Sequence, residues 1–186
     1  MEKITIMNIN IDEISLDETK DCIDQYLNND CLNTVILLNS QALLLVDQDE
    51  ELASYIAQSD LVIPGDKTAV EVVENIIKRD YKAVFGMHFV DALFESAIEY
   101  GKTLYLLSDR SEDGRRQEET IRELYPEVSL AGANNLEQEL DEEGLVNEIN
   151  GAAPDIVLVS VESPLQEDVY KRQCSFCILQ GMTRDR

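Results

Sequence analysis

The sequence is poor in several residue types, and each shortage narrows the possible functions. It contains no tryptophan, a single histidine and only 15 Lys and Arg residues against 38 Asp and Glu, for a net charge of -23. So few cations argue against nucleic-acid binding, which needs Lys and Arg to neutralise phosphates, and against docking on an anionic membrane surface. The acidic excess is expected to form a solvated exterior that keeps the protein soluble.

Long apolar runs are also missing. No segment has the length needed to span a bilayer, and the N-terminus lacks the apolar core of a signal peptide. We therefore expect a cytoplasmic protein. The 186 residues, with 44% hydrophobic and 28% charged side chains, suit one globular domain.

The four cysteines do not form a metal-binding pattern. Cys22 and Cys31 are scattered, and Cys174 with Cys177 makes one isolated C-x-x-C pair. A zinc ribbon needs a second such pair or histidines, and the only histidine, His88, is far away in sequence. We expect neither a metal nor another cofactor.

Apolar periodicity predicts an α/β fold. Buried-type runs predict strands at 3–11, 34–38, 61–63, 104–107, 128–130 and 156–160. Helical spacing predicts helices between them, at 68–79, 88–100 and 112–124 among others. A capping box at Ser15 and Glu18 predicts the start of an earlier helix, which carries Leu16, Ile23, Tyr26 and Leu27. The acidic stretch 134–144 is expected to be a loop. This alternation indicates a Rossmann-like, mostly parallel sheet with helices on both faces.

Ligands of such sheets bind beyond the carboxyl ends of the strands. That rule selects four junctions: Asn39-Ser40, Pro64 to Lys67, Ser108-Asp109 and Glu162 to Glu167. Each has a plainer interpretation, with Asp66 as a helix N-cap, Asn39 as a turn residue and His88 as a helix N-terminal residue. Neither a Walker A motif nor G-x-G-x-x-G is present.

Taken together, the junctions resemble the WecG/TagA/CpsF glycosyltransferases. That family has a strand ending in T-x-N, then P-D-G, R-V-x-G-x-D-L, a strand ending in two glycines, Y-P, P-D-x-x-x-V and G-x-P-K-Q-E. The matching segments here are Leu37 to Asn39, Leu61 to Asp66, Ala83 to His88, Leu104 to Asp109, Tyr125-Pro126, Ile149-Asn150 with Pro154-Asp155, and Ser163 to Glu167. The carboxylate of P-D-G falls on Gly65, the Thr of T-x-N on Leu37 and the Arg on Ala83.

The resemblance implies an activity and a set of site residues. Family members transfer an N-acetyl-hexosamine from a UDP-sugar to a polyprenyl-diphosphate-linked sugar, with inversion and without a metal. The resemblance implies that Asp66 is the catalytic base. The implied substrate-binding residues are Asn39, Pro64, Gly65, Lys67, Lys82, Gly86, Ser108, Asp109, Pro164, Gln166 and Glu167.

The last residues depart from this pattern. We expect one glycosyltransferase-like domain over residues 1–168 and a non-family tail over 169–186 that resembles translated adapter sequence. The family's basic membrane-contacting appendage would then be missing here. A homo-oligomer is compatible with the resemblance.

Three functions remain open at this point. The first is a transferase that uses Asp66 as base, with Asn39 and Gln166 binding polar groups of the substrate. The second is a UDP-sugar-binding or regulatory module without catalysis. The third is an unrelated nucleotide- or phosphate-binding enzyme that uses the loop from Gly65 to Thr68.

Overall fold

The computed structural model describes residues 2–29, 31–108, 111–135, 142–160 and 176–180, the last segment by its backbone alone. The strands are β1 Glu2–Ile6, β2 Ile9–Glu13, β3 Asn33–Leu38, β4 Leu61–Pro64, β5 Thr103–Ser108, β6 Ser129–Asn135, β7 Ile156–Ser160 and β8 Phe176–Gln180. The helices are α1 Leu16–Asn28, α2 Ser40–Leu45, α3 Glu50–Gln58, α4 Lys67–Ile77, α5 Gly86–Tyr100, α6 Ser111–Leu124 and α7 Glu142–Ala152.

Six strands form one parallel sheet in the order β4-β3-β8-β7-β5-β6. Side chains alternate between its two faces, so the apolar strands feed two cores. One core contains residues of α2, α3, α4 and α7, and the other contains residues of α1, α5 and α6. The prediction of a Rossmann-like α/β fold with helices on both faces is confirmed.

The first predicted strand was wrong. Residues 3–11 do not form one strand; β1 and β2 pair antiparallel as a hairpin outside the main sheet. The turn residues Met7 and Asn8 have φ of 47° and 66°, as a two-residue hairpin turn of type I′ requires. The two turn residues are Met7-Asn8 and not the Asn-Gly or Asp-Gly that usually signals such a turn.

The hairpin protects the edge of the sheet at β4. The buried Asp12 carboxylate, on β2, accepts the Val62 N–H at 3.0 Å and lies 3.4 Å from the Lys3 ammonium. An edge strand exposes unpaired backbone groups, and this carboxylate satisfies one of them.

Two aspartates fasten the amino ends of neighbouring strands. Asp60 accepts the Thr34 N–H at 2.7 Å, and Asp155 accepts the Thr103 N–H at 2.9 Å and the Thr103 hydroxyl at 3.0 Å. Each aspartate returns its own backbone N–H to the carbonyl of the same threonine. The Pro154-Asp155 motif therefore has a structural role at the edge opposite the predicted site.

Three other details differ from the sequence prediction. Helical spacing predicts Ile76 on the inner face of α4 together with Val70, Val73 and Ile77, but Ile76 is 42% exposed. Strand β6 runs on to Asn135, into the stretch predicted as a loop. Strand β8 lies within the predicted tail and pairs with both β3 and β7. The domain boundary at residue 168 stays a prediction.

Among the helices of the described ranges, none combines the length and apolar character that crossing a bilayer requires.

Candidate functional site

Asn39 and Asp66 stand at the carboxyl ends of the adjacent strands β3 and β4, where each caps the next helix. The Asn39 side-chain oxygen accepts the Ala42 N–H at 2.7 Å at the start of α2. The Asp66 Oδ1 accepts the Ala69 N–H at 2.6 Å at the start of α4. Short polar residues with an extended backbone are preferred at the N-cap position, because their side-chain oxygens accept hydrogen bonds from unpaired N–H groups of the helix's first turn.

The Asp66 carboxylate also joins the two helix starts to each other. Its second oxygen, Oδ2, accepts the Ser40 N–H at 3.2 Å. Both oxygens of Asp66 thus hold backbone donors, one from α4 and one from α2. The result is a half-buried carboxylate fixed between two helix N-termini.

Two glycines bring a third helix to the same point. A Cβ on Gly86, the first residue of α5, would lie 2.3 Å from the Gly65 carbonyl oxygen. A Cβ on Gly65 would lie 2.8 Å from the Leu37 carbonyl oxygen. The Gly65 N–H donates to the Leu38 carbonyl at 2.8 Å. The loop after β4 therefore packs backbone to backbone against both β3 and α5.

The predicted basic residues lie in different surroundings. Lys67 is exposed at the first residue of α4, directly after Asp66. Lys82 is exposed, and its backbone N–H donates to Glu13 at 3.2 Å. Hydrogen bonds from Arg79, at 2.7 Å, hold the pKa of Glu13 below its usual value. Lys82 thus belongs to a surface cluster beside the hairpin.

His88 lies in the first turn of α5, in agreement with its plainer interpretation. It is exposed, and its ring makes an edge contact with Phe85 at 4.5 Å between centroids.

A second polar group lies at the carboxyl ends of β6, β5 and β7, under α6. Asn135, Ser108 and Ser160 align in register across these three strands. From α6, Gln117 Nε2 donates to the Ser160 hydroxyl at 2.7 Å. A Cβ on Gly114 would lie 2.4 Å from the Ser108 hydroxyl oxygen, so α6 covers the fully buried Ser108 closely.

On the opposite face of the sheet, a third polar group lies between α7 and the strands β5 and β6. Glu148 on α7 accepts the Tyr105 hydroxyl and the Asn134 amide, each at 2.7 Å. Burial, the hydrogen bond to Glu148 and its negative charge raise the pKa of Tyr105.

Sequence patterns did not predict a functional role for Gln117, Asn135 or Ser160. Gln117 lies in a helix that is polar over most of its length, and Asn135 was assigned to a loop. Only Ser160, as the polar end of an apolar run, carried a visible signal. Four predicted site residues, Asp109, Pro164, Gln166 and Glu167, lie outside the described residues.

The sequence matches the model of the glycosyl transferase WecG/TagA/CpsF family over residues 4–181. The chain belongs to this family. The matched range includes β8 and both polar groups at the strand ends. A comparison with curated proteins found no match.

Membership gives the site a chemical context. WecG/TagA/CpsF proteins are glycosyltransferases of polysaccharide or teichoic acid synthesis, and the family implies a nucleotide-sugar donor and a lipid-linked acceptor. Across the part of the chain that the structure describes, no three His, Cys, Asp or Glu side chains gather as a metal site would require.

Proposed function

We propose that the protein transfers an N-acetyl-hexosamine from its UDP conjugate to a polyprenyl-diphosphate-linked sugar, with inversion and without a metal. The observation that carries this proposal is the meeting of Asn39 and Asp66 at the ends of β3 and β4, beside the N-termini of α4 and α5. The substrates place the reaction in the cytoplasm, at the inner face of the membrane.

Asp66 is the proposed base. A carboxylate offers about four acceptor positions, and the Ala69 and Ser40 N–H groups occupy two of them. The remaining positions can accept the hydrogen of the acceptor hydroxyl as its oxygen attacks the anomeric carbon. A positioned general base of this kind contributes roughly 10²–10⁴ in rate.

The departing UDP needs positive potential. Helix N-termini supply it through exposed N–H groups and the aligned peptide dipoles, and α4 and α5 both start beside Gly65. Lys67 adds an exposed ammonium at the first residue of α4. Asn39 uses its oxygen as a cap, which leaves its Nδ2 group to donate to an oxygen of the substrate.

The other proposed binding residues do not all lie beside Asp66. Pro64, Gly65 and Gly86 shape the loop after β4. Ser108 ends β5 in the second polar group, and we propose it together with Asp109 on the strength of the family resemblance. We retain Pro164, Gln166 and Glu167 as binding residues on the strength of the family resemblance, and we assign Lys82 a weaker role because it faces the hairpin cluster.

One observation favours the alternative of a UDP-sugar-binding module without catalysis. The family's carboxylate falls on Gly65, where a Cβ would meet the Leu37 carbonyl at 2.8 Å. The backbone here leaves no room for a side chain, and Asp66 must act from the next position while it caps α4.

A transfer assay with an Asp66→Asn variant tests the proposal. Asparagine can still cap α4 but cannot take up the proton, so transfer of N-acetyl-hexosamine to a polyprenyl-diphosphate acceptor should fall at least a hundredfold while UDP binding persists. Asp49→Asn is the matched control, since Asp49 caps α3 through the Glu51 and Leu52 N–H groups.

The outcomes separate the two functions. Transfer that survives Asp66→Asn removes Asp66 from the mechanism. A wild-type chain that binds UDP-N-acetyl-hexosamine but transfers nothing to any polyprenyl-linked acceptor supports the binding module.

A further inference from the structure

Helix α5 starts beside the proposed reacting centre without a side-chain cap. Its N-cap residue, Phe85, makes no side-chain hydrogen bond to the first turn. The four helices before it are each capped by a side-chain oxygen, from Ser15, Asn39, Asp49 and Asp66. Gly86, the first residue of α5, nevertheless packs backbone to backbone on Gly65, next to Asp66. Contacts from outside the helix must therefore hold its start in place.

The end of the N-terminal hairpin supplies these contacts. Residues 79–85, which join α4 to α5, form neither a helix nor a strand. The Asp12 carbonyl accepts the Tyr81 hydroxyl at 2.8 Å. The Ile14 carbonyl accepts the Val84 N–H at 3.0 Å, two residues before α5 begins. The connecting segment is thus fastened to the hairpin at two points.

Between these two points, Glu13 holds the segment through its side chain. Arg79 donates to both Glu13 oxygens, each at 2.7 Å, and the Lys82 N–H donates to Oε1 at 3.2 Å. The Glu13 side chain is 12% exposed and that of Arg79 is 45% exposed. An ion pair this exposed adds little to stability, but its two parallel hydrogen bonds fix the geometry of the segment that follows α4.

A continuous series of contacts leads from Glu13 to Asp66. The segment held by Glu13 runs directly into Gly86, and a Cβ there would lie 2.3 Å from the Gly65 carbonyl oxygen. Asp66 follows Gly65 and binds the starts of α2 and α4 through its two oxygens. Closely packed elements transmit a displacement because they leave little free space. A shift of residues 79–85 should therefore move the start of α5 and the loop of Asp66.

We propose that Glu13 is a positioning residue, which acts through Arg79 and the Lys82 N–H to set the α5 N-terminus against the loop of Asp66. The assignment rests on the proposed function, because it takes Asp66 and the α5 N-terminus to act on the nucleotide sugar. It gives the N-terminal hairpin a second role besides protecting the edge of the sheet.

Transfer kinetics of Glu13→Gln test this role. Glutamine keeps one oxygen for the Lys82 N–H but cannot accept from Arg79 through both of its terminal atoms. The kcat of transfer should fall about tenfold, while the KM for the UDP-sugar should change less than about twofold, because misplacement acts mainly on the transition state. Arg79→Gln should cause a similar loss. The double variant should lose no more than either single one, because the two residues act as one unit.

Amide NMR spectra of the proteins without substrate give a second readout, which a general loss of stability does not produce. Glu13→Gln should shift the amide signals of residues 65–66 and 86–88 in addition to those of residues 79–84. These signals report the position of the α5 start and of the Asp66 loop directly.

Glu95→Gln is the matched control. Glu95 Oε2 accepts a hydrogen bond from the Lys20 ammonium at 3.2 Å, in an exposed ion pair that joins α5 to α1. The substitution thus breaks an ion pair of the same helix away from its start. This variant should keep the wild-type kcat and the wild-type signals of residues 65–66 and 86–88.

A kcat that is unchanged in Glu13→Gln overturns the inference, as do NMR shifts confined to the hairpin and residues 79–84 or losses that simply add in the double variant. In each of these cases the wild type still transfers the sugar and the proposed function stands. A folded wild-type chain that transfers nothing overturns the proposed function instead. The NMR comparison then still decides whether Glu13 positions the start of α5.

Discussion

At the scale of single residues, the candidate site depends on how closely backbones approach one another. Gly65 and Gly86 let the loop after β4 touch both β3 and α5, and Asp66 takes its position from that packing. The interpretation of Asp66 as an N-cap is confirmed, and Asn39 proves to be an N-cap as well. Their roles with substrate stay predictions.

Gly86→Ala should destabilise the fold and disturb the loop of Asp66. Its Cβ would lie 2.3 Å from a backbone oxygen that cannot rotate away, and overpacking of this kind costs about 1–3 kcal/mol. The free energy of unfolding from urea titration measures the effect.

Gly151→Ala is the matched control for that substitution. Gly151 lies in α7, and a Cβ there meets nothing within 4 Å. Alanine should stabilise this helix by about 0.5–1 kcal/mol. Equal effects of the two substitutions would contradict the packing described for Gly86.

Residue patterns predicted the capped junctions but not the second polar group. Asn39 and Asp66 stand directly after apolar runs, where local sequence indicates a strand end. Gln117 meets Ser160 through the tertiary packing of α6 on β7, a contact between residues 43 positions apart that periodicity does not reveal.

At the scale of secondary structure, the two threonine–aspartate pairs fix the amino ends of the parallel strands. Asp60 with Thr34 joins β4 to β3, and Asp155 with Thr103 joins β7 to β5. The strands thereby keep the register that brings their carboxyl ends level at the site.

This fastening should depend on pH. Burial acts to raise the pKa of Asp155, but the Thr103 N–H and hydroxyl and the Lys102 ammonium outweigh it and hold the pKa below its usual value. A carboxyl group whose pKa is lowered in the folded state stabilises the fold above its unfolded pKa of about 3.9, and that stability is lost as the pH falls through the folded pKa.

Asp155→Asn should therefore be less stable than wild type at pH 7 by on the order of 1 kcal/mol, and the difference should shrink below about pH 4. Urea unfolding at both pH values measures it. Asp21→Asn, at an exposed position of α1, is the control and should show little difference at either pH. A difference for Asp155→Asn that is the same at pH 7 and pH 3 would contradict the assignment.

The prediction of secondary structure failed at the N-terminal segment, where the apolar pattern does not reveal the turn. The apolar residues Ile4, Ile6 and Ile9 predict one strand, but the positive φ of Met7 and Asn8 divides the segment into a hairpin. The capping box at Ser15, by contrast, is a purely local pattern, and it is confirmed.

At the scale of the whole molecule, the order of the sheet brings the site together. Strand β8 lies between β3 and β7, so the β3–β4 pair and the β5–β6–β7 group share one carboxyl edge. Alternating strands and helices predicted the fold class because that rhythm is local. The strand order was not predictable in this way, since pairing between distant segments depends on long-range packing.

The acidic surface should make stability depend on salt. With a net charge of -23, the acidic side chains repel one another in the folded state. Salt ions screen this repulsion between charges more than about 10 Å apart at 0.1 M ionic strength. The urea midpoint should rise as sodium chloride increases from 0.02 to about 0.2 M. Potassium chloride serves as the control for a specific sodium effect, and a midpoint that falls with either salt would contradict this account.

The most direct test of the central claim is a two-dimensional amide NMR titration of the intact chain with UDP-N-acetylglucosamine. We predict that shifts concentrate at the carboxyl ends of the strands, in residues 39–42, 65–69, 86–88 and around Gln117 and Asn135. Shifts confined to the amino ends, near Thr103 and Asp155, or a folded chain whose spectrum does not change, would contradict a sugar-nucleotide site at this edge.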